Sequence, residues 1–190
     1  MIKPISLKAV LGEESYWQPN FGEYHLGGTG TRKVHDDLRN ATKMWIKERM
    51  EFIHPTGVVT GGCTGFDALM GEYCALRWED LVHVVVVPAD QKAVDPWWTK
   101  PTLSHVDITV VQMPEGSTYR DRNIEIIRRS HTMLGQPERP EADEKSRRSG
   151  TWQTIRLARK AGLGVDLALT DWLREQDQRH RPSTTPDLGK

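Results

Sequence analysis

Short apolar runs alternate with amphipathic stretches along most of the chain. Phe21–Leu26, Gly57–Thr60, the valine run of His83–Val87, Asp107–Met113, Thr132–Leu134 and Val165–Leu169 read as strands. The β-branched run His83–Val87 suits a strand buried on both faces. Between them, apolar residues recur at helical spacing. Val34, Leu38, Ala41, Trp45 and Phe52 predict a helix from Lys33 that stops before His54-Pro55, because the residue preceding proline avoids the α region. Phe66, Leu69, Met70, Tyr73 and Leu76 predict a second helix. Tyr119–Ser130 is a third, with Ile124 and Ile127 inward, and Thr151–Ala161 a fourth, stopped by Gly162. Thr170-Asp171 is placed to cap a short terminal helix. Strands alternating with helices predict an α/β fold, a Rossmann-like parallel sheet with helices on both faces.

Residues 1–19 read as an N-terminal arm, 20–178 as one domain and 179–190 as a disordered tail. The stretch at 88–105 carries Pro88, Pro96, Trp97-Trp98 and Pro101, and its length marks it as a functional loop or as cover for a core edge. Gln136–Ser149 is charged and proline-bearing, and reads as a mobile loop.

In parallel sheets ligands bind beyond the carboxyl ends of the strands. Three strand-to-helix turns there carry suggestive residues: Gly27–Arg32 (GGTGTR), Thr60–Asp67 (TGGCTGFD) and Ser146–Thr151 (SRRSGT). Glycines let a backbone approach a ligand, and amides at a helix start favour an anion. Each turn has a plainer explanation too: tight turning for the glycines, helix capping for Ser149 or Thr151. None matches the dinucleotide fingerprint or the P-loop.

Charge changes the picture only locally. Lysines and arginines number 26, and so do aspartates and glutamates. From Ser117 to Lys160, eleven basic residues face six acidic ones. A basic segment on a neutral chain predicts a small anion rather than an extended nucleic acid. The two cysteines and seven histidines show no metal or disulfide spacing, so no metal and no cofactor is expected. No apolar run approaches about 18 residues, which predicts a cytoplasmic chain with no membrane partner.

The succession GGTGTR, VVTGGCTGFDALMGEYCAL, YRDRNIEIIRRS and SRRSGTWQTIRLARKAG resembles the SLOG superfamily over roughly residues 20–168. These are Rossmann-like nucleotide binders related to the lonely-guy phosphoribohydrolases and to the DNA-processing protein of natural transformation. The resemblance is nearest to the small YspA-type proteins of bacteria and phages. It implies a nucleotide or nucleotide-derived ligand and a homodimer. It places the phosphoribohydrolases' catalytic arginine on Arg122, followed by Asn123, and their glycine-threonine pair on Gly150-Thr151. Their catalytic glutamate falls on Thr154, which cannot serve as a general acid or base near neutral pH.

The expected ligand contacts are Gly28, Thr29, Gly30 and Arg32 from the first turn, and Gly61, Gly62, Gly65 and Asp67 from the second. Arg122, Asn123, Arg148, Ser149, Gly150 and Thr151 complete the set. Arg122 and Asp67 are the catalytic candidates. Three functions remain open: a sensor or sequestering protein, an N-glycosidase acting on nucleoside 5′-monophosphates, and a binder of single-stranded DNA. Zero net charge and few aromatics besides tryptophan weigh against the last.

Overall fold

In the computed structural model, the described residues are 5–6, 16–17, 23–77, 82–87, 108–143, 148–169, 171 and 173–175. Strands β1 (Ile5–Ser6) and β2 (Tyr16–Trp17) form an antiparallel pair. The main sheet is built from β3 (His25–Gly30), β4 (Gly57–Thr60), β5 (Val82–Val87), β6 (Ile108–Gln112), β7 (Thr132–Gln136) and β8 (Gly164–Leu167). Its order is β6-β5-β4-β3-β7-β8, and every pairing is parallel. The order reverses between β3 and β7. That is the topological switch point, where such sheets open a crevice at their carboxyl edge.

Helices α1 (Asp36–Ile53), α2 (Phe66–Arg77), α3 (Tyr119–Arg128) and α4 (Gly150–Lys160) cover both faces. One apolar cluster joins Leu38, Trp45, Ile46 and Met50 of α1 to Phe66 and Met70 of α2, with Val58 from the sheet. The other joins Ile124, Ile126 and Ile127 of α3 to Ala158 of α4, with Val59, Val84 and Val86. Adjacent Val58 and Val59 thus serve opposite faces, as the two-residue period of a strand requires.

The first strand differs from expectation. It runs His25–Gly30 rather than ending at Leu26, so most of GGTGTR is strand and not turn. The reason is close packing. A Cβ on Gly27 would overlap Ser130, one on Gly28 would overlap Met70, and one on Gly30 would overlap Phe66. The glycines let helices sit tight against the strand. Helix α1 starts at Asp36, not Lys33, because the Thr31 hydroxyl bonds both the N–H and the C=O of Lys33 and holds that segment in a turn. The helix ends before His54-Pro55, with His54 left-handed (φ 50°) and its N–H bonded to the Met50 carbonyl.

Strand β7 extends two residues beyond Leu134. Gly135 gives room for Leu167, and buried Gln136 donates to the Thr42 hydroxyl (2.9 Å). The segment after it, expected to be mobile, is tied to α4 over residues 137–143. Trp152 Nε1 donates to the Arg139 carbonyl (2.8 Å), and Arg159 pairs with Glu141 (3.0 Å). Residues 144–147, the Trp97-Trp98 stretch, Thr170, the tail 179–190 and most of the arm lie outside the described residues.

Candidate functional site

The site is built from the carboxyl ends of the strands upward. Three bonds gather the loops there. Thr31 N–H donates to the Gln136 carbonyl (2.9 Å), carrying the β3–β7 pairing one residue past the strand end. Phe66 N–H donates to the Thr31 carbonyl (3.0 Å), and the Thr64 hydroxyl to the Arg32 carbonyl (3.0 Å). Gly65, at φ 74°, comes so close to Thr31 and Arg32 that no side chain fits. The Thr151 hydroxyl donates to the Gly30 carbonyl (2.9 Å) and locks the start of α4 to the end of β3.

Between these loops lies a cavity of about 410 Å³, within the range typical of small-molecule sites. Its walls include Thr29, Gly30 and Arg32 from β3 and its exit, and Asp67 from α2. Arg122 and Asn123 come from α3, and Ser149, Gly150 and Thr151 from the start of α4. Gly28, Gly61, Gly62, Gly65 and Arg148 stand outside this lining. For the glycines the cause is packing. A Cβ on Gly28 or Gly61 would meet Met70 or the Arg122 guanidinium, and Gly62 and Gly65 have positive φ. Arg148 is exposed beside Ser149.

Arg122 lines the cavity. It is 7% exposed. Neither Asp121 nor Glu125 takes it: Asp121 closes a capping box with Thr118, and Glu125 pairs with Arg128 and Arg129. Its Nη2 donates to the Gly61 carbonyl (2.8 Å) and lies 2.9 Å from Cys63 Sγ, while Nη1 donates to Asn123 Oδ1 (2.9 Å). Its Nε is buried with no partner among the described residues.

Asp67 faces it from α2. One carboxylate oxygen accepts from the Gly61 N–H (3.1 Å) and the Cys63 N–H (3.4 Å), so Asp67 braces the turn after β4. Burial pushes its pKa up to about 6, against the lowering pull of Arg122, the two amides and Arg32. Burial, then the Asp67 carboxylate, push the Cys63 thiol up as well, so it is held as a thiol.

Ser149 caps α4, its hydroxyl accepting from Trp152 N–H (3.4 Å). The first backbone bond of the helix runs from Gln153 N–H to the Ser149 carbonyl (2.9 Å). The amides of Gly150 and Thr151 therefore precede the intrahelical ladder. They lie in the cavity wall at the positive end of the helix dipole.

Thr31, Lys33, Cys63, Tyr119, Glu138, Gln153 and Thr154 also line the cavity and were not among the expected contacts. Thr31 and Cys63 belong to the expected turns and Thr154 to the resemblance, whereas the Thr118–Asp121 capping pattern marks Tyr119 only as a helix start. Thr154, in the place of the phosphoribohydrolases' glutamate, is buried and donates to the Gly150 carbonyl (3.0 Å). Among the described residues no group of three His, Cys, Asp or Glu converges on a metal position, and no helix is long and apolar enough to cross a membrane.

No protein-family model matches the chain. A comparison with curated proteins finds no match. Solved structures share the fold. DNA processing protein A from Helicobacter pylori, described for its single-stranded DNA binding mode, superposes with a TM-score of 0.54 at 17% identity, over 76% of this chain and 64% of that one. The Streptococcus pneumoniae DNA processing protein A gives 0.55 at 16% identity, over 83% and 55%. The chain thus spans less than two thirds of either. The molybdenum cofactor binding protein from Rippkaea orientalis gives 0.55 at 17% identity, over 83% of both chains.

One expectation is overturned here. Extended nucleic acid was excluded on net charge, yet a protein of this fold binds single-stranded DNA. Net charge is a sum over the whole chain and does not report a local rim. Arg32 and Lys33 line the cavity, Arg120 and Arg148 adjoin residues that do, and all four are exposed.

Proposed function

We propose that the cavity at the β3–β7 switch point binds a nucleotide or nucleotide-derived ligand, its phosphate seated at the start of α4. The observation that carries this is Arg122: a largely buried guanidinium in the wall of the same cavity that Gly150 and Thr151 line at the start of α4. Taking a cation out of water is costly unless an anion or acceptors face it. The protein supplies the Gly61 carbonyl, the Asn123 amide oxygen and the facing Asp67 carboxyl, whose pKa is itself raised to about 6, and a bound anion would add charge complementarity. The order of turns, resembling that of the SLOG superfamily, favours the same reading. The Thr154 substitution favours binding without hydrolysis.

The test is calorimetric titration with the four ribonucleoside 5′-monophosphates, on the native chain and on Gly150→Asp. A Cβ at Gly150 meets nothing within 4 Å, so the variant folds as before while placing a carboxylate at the phosphate seat. Binding is expected in the first and lost in the second. Unchanged binding in Gly150→Asp overturns the site. Free base released during incubation would point to the N-glycosidase instead.

A second reading has its own support. The exposed cations Arg32, Lys33, Arg120 and Arg148, together with the likeness to the Helicobacter pylori protein, favour a single DNA strand entering the same cavity. A short oligothymidylate titrated at rising salt separates the two. Several phosphate contacts give a steep loss of affinity, and a mononucleotide site does not.

A further inference from the structure

We propose that the Arg32–Tyr119 pair in the cavity wall is the seat of a planar heteroaromatic ring, so that the ligand is held by its base as well as by its phosphate. This rests on the reading of the cavity above and specifies its ligand class. Tyr119 opens α3 and is fixed from below by the capping box. Thr118 N–H and the Thr118 hydroxyl both donate to the Asp121 carboxylate (2.8 and 2.7 Å). Tyr119 is 46% exposed and lines the cavity. An aromatic face left open in a cavity wall gains by being covered.

Arg32 stands over that ring, its Cζ 5.7 Å from the centroid. Flat groups in direct contact lie about 3.5 Å apart, and a ring inserted between two of them needs about 7 Å. At 5.7 Å the two already make a cation–π contact, so a ring is seated on Tyr119 only when the guanidinium swings outward. The Arg32 side chain is exposed and its carbonyl is held by Thr64, so the guanidinium swings while the loop stays. A base between them has a cation over one face and an aromatic ring over the other. Such stacking tolerates any base, so what defines the ligand class is possession of a ring.

The experiment compares ribose 5-phosphate with the four ribonucleoside 5′-monophosphates on the native chain, Tyr119→Leu and Tyr119→Phe. The native chain is expected to favour the nucleotides at least about tenfold. Tyr119→Leu abolishes that preference with ribose 5-phosphate affinity unchanged, and Tyr119→Phe keeps it. A preference that survives in Tyr119→Leu overturns the ring seat and leaves the phosphate site standing. So does an equal loss for both ligands, which would mean that the tyrosine merely shapes the cavity. If the native chain binds neither ligand, the cavity reading fails first and the ring seat falls with it.

Discussion

The Arg122 guanidinium lies against Gly61, donating to its carbonyl at 2.8 Å where any Cβ would overlap it. The glycine in the turn after β4 is thus the bed of the arginine and stands outside the cavity lining. Gly61→Ala is expected to displace the guanidinium, abolish nucleotide binding and cost about 1–3 kcal/mol of stability. Denaturant melts and calorimetry measure the two effects. Retained affinity in Gly61→Ala would show that Arg122 does not need this position.

Removing the arginine's charge has a distinct signature. Arg122 is the largest influence holding the Asp67 pKa down against burial. In Arg122→Met the Asp67 carboxyl is expected to titrate clearly above its native value of about 6, as followed by carbon NMR of the labelled side chain. A midpoint that does not move would mean that the two groups do not sense each other.

Two buried groups pull the acid stability profile in opposite directions. Asp67 is raised to about 6 in the fold. Its contribution is therefore fully present below its unfolded pKa near 3.8 and is lost as pH rises through about 6. His83, buried with its Nε2 3.0 Å from the Thr60 hydroxyl, is lowered to about 4 by burial. Its contribution is present above its unfolded pKa near 6.5 and is lost as pH falls toward 4. Each is on the order of 3 kcal/mol, opposite in sign and overlapping in range. The native chain should show a shallow profile between pH 4 and 6.5. Asp67→Asn keeps an amide oxygen for both turn N–H groups and should unmask a steep loss toward acid, read from urea midpoints. A profile equally shallow in Asp67→Asn contradicts the opposition.

The glycines divide by consequence. Gly28→Ala meets Met70 and is expected to lower stability by about 1–3 kcal/mol with little change in ligand affinity at a temperature where it is folded. Gly150→Ala meets nothing and should leave both nearly unchanged, in contrast to Gly150→Asp. Thermal melts beside titrations check both.

Much of the architecture was legible because apolar periodicity is local. The valines of β5 and the spacing of Leu38, Ala41 and Trp45 report their elements without help from the rest of the chain, although Phe52, placed on the same face, is 80% exposed. Periodicity did not single out Arg122, Asn123 or Gly150-Thr151, which the resemblance to the SLOG superfamily pointed to; the small hydroxyl ahead of an amphipathic run marked Ser149 as a cap. Glycine was the ambiguous letter. In Gly27–Gly30 it reads alike for a turn and for a strand pressed by Ser130, Met70 and Phe66, and only the packed helices decide. Tyr119 and Glu138 lay hidden because their place in the wall depends on which loops the sheet order brings together.

The β3–β7 seam joins Leu26 to Thr132, and the Thr151 latch reaches back to Gly30 across 121 positions. Closing so long a loop is slow and entropically costly. A chain emerging from the ribosome therefore has no complete cavity until the start of α4 has been synthesised. Occupancy would then serve as a timestamp, marking molecules whose two halves have met.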